Sequence, residues 1–189
     1  MKTWMMLALA LVLTTTAYAQ KWEVDASHTS VQFALDHLSL SEVTGKFSGV
    51  NGAFTSPTDD FTQATGEVTI DVNTVNTENA DRDKHLKAPD FFDVAKFPKM
   101  TFKAEKFRKA GGNKYVVEGK LTIRDVTKPV KLEGVFSGVR KDPWGGTRVG
   151  FMRFSTTINR KDFGLAMDTS SMLMGEEVRL TINTELVKK

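Results

Sequence analysis

The stretch YVVEGKLTIRD, residues 115–125, decides the fold class of this 189-residue chain. Apolar or small residues occupy every second position from Tyr115 to Ile123, and charged residues such as Glu118 and Lys120 lie between them. Side chains of a β-strand alternate between the two faces of a sheet, so a period of two indicates a strand with one buried and one solvated face. We therefore predict a half-buried strand here.

The same alternation recurs along the chain after residue 20. It is found in further segments: VQFALDH (31–37), 43–54, ATGEVTIDV (64–72), MTFKAEKF (100–107), VKLEGVF (130–136), GFMRFSTTI (150–158) and VRLTINTEL (178–186). About eight strands of this kind, many linked by short turns that contain glycine or asparagine, predict an all-β and largely antiparallel domain.

The apolar faces of these strands favour a barrel over a sandwich. A closed barrel of about eight strands has no open sheet edge and can enclose one small ligand. The apolar faces also carry glycines, which we expect to allow tight coiling and to leave space inside: Gly45, Gly66, Gly119, Gly134 and Gly150.

One helix and one loop-rich segment are predicted to interrupt the strands. The helix covers residues 77–88, where Asn76 or Thr77 is expected to cap it and Ala88-Pro89 to end it. The loop-rich insertion runs over residues 159–175.

Residues 1–19 have the features of a cleavable secretory signal. Lys2 precedes a short apolar run, and the segment ends in Ala17-Tyr18-Ala19, an A-x-A cleavage site. The apolar run is shorter than the roughly 20 residues that a membrane span needs. We predict a secreted protein whose residues 20–189 form a single domain.

Composition excludes several classes of function. The chain contains no cysteine, which removes disulfides, thiol catalysis and zinc–thiolate sites. Its formal net charge is +3, and because basic and acidic residues are interspersed, there is no basic stripe for nucleic acid. His28, His37 and His85 lack metal-ligand spacing, so we expect no metal and no catalytic residue.

The densest polar stretch is ADRDKHLKAPDFFDVAKFP, residues 80–98. Lysines alternate with its acids, and a carboxylate beside a fixed cation stays ionised and braces the chain rather than donating a proton. Asp83 and His85 are two positions apart, so a helix would direct them to different faces. A structural role is favoured, with Arg82, Asp83 and Asp93 bracing the loop.

We expect a lumen for an apolar ligand, with a polar rim. The residues expected at the rim are Arg82, His85, Phe91 and Phe92. The inward strand positions expected to line the lumen are Phe33, Leu35, Val68, Ile70, Phe102, Leu121, Ile123, Leu132, Met152, Phe154, Leu180 and Ile182.

Several long segments resemble the YceI family. They are residues 76–102, GKLTIRDVTKPVKL (119–132), DPWGGTRVGF (142–151) and INRKDFGL (158–165), and the N-terminal pattern VDASHTSVQFALDHL (24–38) is similar as well. The resemblance implies a secreted, usually periplasmic protein with an extended lipocalin-like β-barrel. It also implies a hydrophobic tunnel for a polyprenyl quinone, a polyprenyl phosphate or another long amphiphile such as a fatty amide. It does not imply an established catalytic activity, and we expect no enzyme and no other cofactor.

Three hypotheses for function follow. The leading one is a carrier that binds an isoprenoid or similar lipid for transport or storage. The others are an enzyme that acts on an amphiphile inside the barrel, and a structural or interaction barrel whose lumen is filled by its own side chains. We expect a lipid ligand as partner, no nucleic acid and no transmembrane segment; transient membrane contact and a homodimer are further hypotheses.

Overall fold

The computed structural model describes residues 19–143, 145 and 147–189. The predicted secretory signal lies outside the described residues except for Ala19. The β-strands are, in chain order, β1 Gln20–Val24, β2 Ser30–His37, β3 Ser41–Phe47, β4 Val50–Ser56, β5 Thr65–Asp71, β6 Lys99–Lys109, β7 Lys114–Ile123, β8 Val126–Phe136, β9 Val139–Lys141, β10 Thr147–Asn159 and β11 Glu177–Lys188. The helix α1 covers Ala80–Leu86, and 3₁₀ turns cover Ala26–His28, Val72–Thr74 and Arg160–Phe163.

The strands form one antiparallel sheet that closes into a barrel of eight long strands. β11 closes it, because it pairs with β10 along one edge and with β1 and β2 along the other. β1 and β2 act as one bent strand, β3 and β4 as a second that runs beside it, and β9 continues β8 along β10. The predicted eight-stranded antiparallel barrel is confirmed.

Four of the five glycines predicted on the inner faces do not leave the space expected from the sequence, and the surroundings of the fifth, Gly150, lie outside the described part of the structure. Phe33 lies opposite Gly45, and a Cβ atom on Gly45 would come within 2.3 Å of the Phe33 ring. Phe154 lies opposite Gly134, and a Cβ atom on Gly134 would come within 2.6 Å of the Phe154 ring. Rings also cover two further glycines, Phe54 over Gly66 and Phe102 over Gly119. The glycines thus let a ring from a neighbouring strand lie close against the wall.

Helix α1 is shorter than the predicted span of residues 77–88, and its predicted cap is wrong. Glu78 has a φ of 62°, which a right-handed helix cannot include. The helix therefore begins at Ala80, and Asn79 caps it by accepting a hydrogen bond from the Arg82 N–H at 2.9 Å.

Thr77 cannot cap the helix because residues of α1 hold it in place. The Asp83 carboxylate accepts hydrogen bonds from the Thr77 N–H at 2.8 Å and from its hydroxyl at 2.6 Å. Arg82 donates to the Thr77 hydroxyl at 2.9 Å and to the Thr77 carbonyl at 2.8 Å. Arg82 and Asp83 thereby brace the chain segment that enters the helix.

The end of the barrel opposite α1 is closed by an aromatic cluster. Phe61, in the connection between β4 and β5, is fully buried and has a φ of 58°. Its ring centroid lies 5.1 Å from that of Trp22, 5.6 Å from Phe136 and 6.4 Å from Phe107. We call Phe61 the end plug, because it makes the lumen a tube that is closed at this end.

The loop that carries the end plug is held by hydrogen bonds at Asp60. The Asp60 carboxylate accepts from the Thr62 N–H and from the hydroxyls of Thr62 and Thr58, and these bonds hold the pKa of Asp60 well below its usual range. The Tyr115 hydroxyl donates to the Asp60 carbonyl at 2.8 Å. These contacts fix the position of Phe61 across the barrel end.

Candidate functional site

A large cavity lies inside the barrel at the end that carries α1. Its volume is about 510 Å³, and we call it the outer chamber. Strand residues form one part of its wall, and α1 with the segments before β6 and before β11 forms the rest. A chamber of this size falls within the range of pockets that hold small ligands, about 300–1,000 Å³.

A second, narrower cavity continues the lumen toward the end plug. Its volume is about 100 Å³, and we call it the inner chamber. Its wall is apolar except for three threonines, Thr29, Thr156 and Thr184. The hydroxyls of Thr29 and Thr184 lie 3.0 Å apart in a hydrogen bond with each other, so the inner chamber suits a hydrocarbon.

The structure places every lumen and rim residue predicted from the sequence on the wall of a chamber. The outer chamber contains Phe33, Leu35, Arg82, His85, Phe91, Phe92 and Ile123. The inner chamber contains Val68, Phe102, Leu132, Met152, Phe154 and Ile182. Ile70, Leu121 and Leu180 line both. That these side chains contact a ligand stays a prediction.

Arg160 is one of the wall residues that sequence reasoning missed. It lies in the loop-rich insertion, where the sequence shows no alternation of apolar and polar residues, and it is only 2% exposed. Its N–H groups donate five hydrogen bonds to backbone carbonyls between residues 165 and 175, at 2.6–3.1 Å. Burial lowers the pKa of Arg160, and the charge of Glu176 opposes this effect. The only sequence signal was its position within INRKDFGL.

The loops around the mouth of the outer chamber are tied to one another. The Ala166 N–H donates to the Asp90 carbonyl at 2.8 Å, which joins the loop before β11 to the loop after α1. Arg124, in the turn between β7 and β8, donates to the carbonyls of Phe91 at 3.3 Å and Gly164 at 3.1 Å. The mouth is therefore a connected structure rather than three separate loops.

The titratable pair at the mouth consists of His85 and Asp90. The His85 Nε2 atom lies 3.0 Å from a carboxylate oxygen of Asp90, both side chains are exposed, and the His85 ring lies edge-on to Phe91 at 4.8 Å. Asp83 points away from them toward Thr77. The structure thus separates Asp83 from His85, as the helical spacing predicted.

His28 lies in a different group, at the bend between β1 and β2. Ligand atoms of Asp25, His28 and Glu185 all lie within 4.8 Å of one another. One carboxylate oxygen of Asp25 accepts from the Ser27 N–H at 3.0 Å, and the other lies 3.0 Å from His28 Nδ1. Asp25 thus caps this turn, and Asp25 and His28 form its ion pair.

Large apolar side chains are exposed beside the mouth. Leu40, in the β2–β3 hairpin, is 88% exposed, and Met172, in the loop before β11, is 71% exposed. The hairpin and the loop contact each other, because the Leu38 N–H donates to the Leu173 carbonyl at 3.1 Å. We call this set the mouth patch: Leu38, Leu40, Met167, Met172 and Leu173.

Comparison with known proteins places this chain among YceI-like sequences. The model of the YceI-like domain matches residues 22–186. Protein YceI of Salmonella newport is 38% identical over 185 residues, which cover 97% of this chain and 95% of that protein.

Solved structures have the same fold. The YCEI protein of Campylobacter jejuni is 33% identical and superimposes with a TM-score of 0.72, covering 82% of this chain and 90% of that one. A polyisoprenoid binding domain from Saccharophagus degradans, 17% identical, has a TM-score of 0.68 and covers 89% and 98% of the two chains. Within the described residues, no helix is long and apolar enough to cross a membrane.

Proposed function

This chain belongs to the YceI family, and on that basis we propose that it binds a long-chain isoprenoid or similar amphiphile in the barrel lumen. Polyprenyl quinones, polyprenyl phosphates and fatty amides have the required shape, an apolar chain with one polar end. The polyisoprenoid binding domain described above has the same fold. We propose that the protein carries or stores this lipid in the periplasm.

The observation that carries the proposal is the incomplete burial of inward apolar side chains. Val68, Leu132 and Ile182 pack against buried core residues, yet they also border the inner chamber and are therefore only half-buried. An alkyl chain that covered them would gain up to about 0.8 kcal/mol for each buried methylene. A barrel filled by its own side chains would not contain these chambers.

The mouth supplies the polar end of such a ligand with suitable partners. Arg82, His85 and Asp90 lie on the wall of the outer chamber, close to its opening beside α1. A quinone or phosphate head can accept hydrogen bonds from Arg82 or His85, while the tail extends toward the end plug. We therefore propose a head-out, tail-in orientation.

An amphiphile is expected to copurify with the protein, or to enter after the bound lipid is removed. Native mass spectrometry followed by solvent extraction identifies it. Leu35→Trp places a larger side chain in the outer chamber and should weaken prenyl quinone binding at least about tenfold, or 1.4 kcal/mol. Gln32→Trp, on the outer face of the same strand, is the matched control and should bind normally.

Two outcomes would contradict this proposal. If the emptied wild-type protein takes up no prenyl quinone or fatty amide, the lumen has another role. If the extracted lipid has been converted to a product of different mass, the protein acts as an enzyme, and His85→Ala would identify the group at the mouth that takes part. A carrier returns its lipid unchanged.

We further propose that lipid enters through transient contact of the mouth patch with a membrane. Exposed leucine and methionine side chains beside an apolar cavity can insert into the lipid interface. Leu40→Ser combined with Met172→Ser should slow uptake from lipid vesicles several-fold and leave uptake from detergent micelles unchanged. Equal rates from vesicles for variant and wild type would contradict membrane contact.

The proposed location depends on residues 1–19, which lie outside the described part of the chain apart from Ala19. N-terminal sequencing of the exported protein should begin at Gln20. The homodimer stays a hypothesis, which the mass of the native protein in solution tests.

A further inference from the structure

Four apolar side chains stand at the boundary between the outer and inner chambers. They are Val31 on β2, Ile70 on β5, Leu121 on β7 and Leu180 on β11, and among the described residues only these four line both chambers. β2 and β11 are neighbours, whereas β5 and β7 flank β6 on the opposite side of the barrel. The four side chains thus approach one another from two sides of the lumen.

Within the described part of the chain, the lumen forms two separate cavities that meet only at these residues, which indicates that it narrows between the chambers. Val31, Ile70 and Leu121 are buried. We call the four residues the constriction.

We infer that the constriction selects ligands by the length and width of their apolar tail, an inference that rests on the proposed lipid-binding function. Val31 and Ile70 are β-branched and stiff at χ1, while the leucines are not. Leu180 is also only half-buried, so it has space to change rotamer. A tail can pass when Leu121 and Leu180 move, and the β-branched side chains keep the passage narrow.

The two chambers then contribute to affinity one after the other as the tail becomes longer. A short tail fills the outer chamber alone, so its affinity does not depend on the inner one. A longer tail passes the constriction and enters the inner chamber, where each added methylene raises affinity by up to about fourfold. The end plug stops this gain when the inner chamber is full.

The test measures binding of prenyl quinones with one head group and tails that grow by one isoprene unit at a time. Wild-type affinity should rise with length, and then level off when the tail reaches the end plug. Leu121→Trp narrows the constriction, so its affinity should level off at the shorter length that fills the outer chamber. Lys120→Trp, exposed on the outer face of β7, is the matched control.

Leu132→Trp keeps the result interpretable if Leu121→Trp does not fold. This substitution fills the inner chamber without changing the constriction. The variant should therefore lose only the affinity that long tails add. If affinity depends on tail length in the same way in wild type, Leu121→Trp and Leu132→Trp, the inferred role of the constriction is wrong and the proposed function still holds. Failure of wild type to bind any tail overturns the proposed function itself.

Discussion

Replacing Arg160 with methionine is expected to lower the free energy of unfolding by about 3–5 kcal/mol. Methionine has a similar length and keeps the apolar contacts of the side chain, but it cannot donate to the five carbonyls that Arg160 binds. Each buried carbonyl left without a partner costs about 1–3 kcal/mol. The total stays below the sum of five such costs, because the loop can open and let water reach some of them.

The opened loop gives this prediction a second, local readout. Limited proteolysis should cut the Arg160→Met protein first between residues 165 and 175, where the five carbonyls lie. Because Leu165, Leu173 and Met174 of this loop line the outer chamber, prenyl quinone binding should weaken as well. Equilibrium urea unfolding measures the stability change, and binding is measured on the folded fraction.

Two further variants separate the role of the guanidinium from a general loss of charge. Arg108→Met removes an exposed ion pair with Glu118 and should cost less than about 1 kcal/mol. Arg160→Lys keeps the charge but not the planar fork, so it should restore only part of the stability. If Arg160→Met were as stable as Arg108→Met, the five hydrogen bonds would not hold the loop.

Sequence reasoning succeeded where the structure follows a repeating local rule. The alternation in residues 115–125 and its counterparts predicted the strands, because side-chain direction along a strand depends only on position. The same rule placed Leu121 and the other inward residues on the chamber walls. Closure of the barrel follows, since a sheet of eight such strands leaves two unpaired edges that can pair with each other.

The errors arose where a contact depends on the register between strands or on competition between partners. The sequence shows that Gly45 faces inward, but only the pairing with β2 shows that Phe33 lies over it. Thr77 is a good capping residue by type, yet Asp83 and Arg82 bind it and leave Asn79 to cap the helix. Neither outcome follows from the neighbouring residues alone.

Arg160 shows a further limit, because its partners have no sequence signature. All five acceptors are backbone carbonyls, which every residue possesses. An arginine among lysine and aspartate in a predicted loop is indistinguishable from a solvated surface charge. Its burial becomes visible only when the loop is folded around it.

Phe61→Ala is expected to lower the free energy of unfolding by about 3–5 kcal/mol, through lost burial and the cavity left behind. The substitution isolates the ring, because alanine and phenylalanine meet the same strain at the φ of 58° that this position requires. Phe61→Leu retains most of the volume and should cost less than about 1.5 kcal/mol. Leu40→Ala, at an exposed position, should stay within about 0.5 kcal/mol of wild type.

Loss of the end plug should also change ligand binding in a direction that instability alone does not produce. In wild type we expect a tail that fills the inner chamber to reach Phe107, which lies on the wall of that chamber and packs against the Phe61 ring. Without the Phe61 ring, tails one isoprene unit longer should bind more tightly than in wild type, while short tails bind equally. A global defect would instead weaken all lengths together. Unchanged length dependence in a stable, folded Phe61→Ala protein would show that Trp22 and Phe107 close the barrel end without the plug.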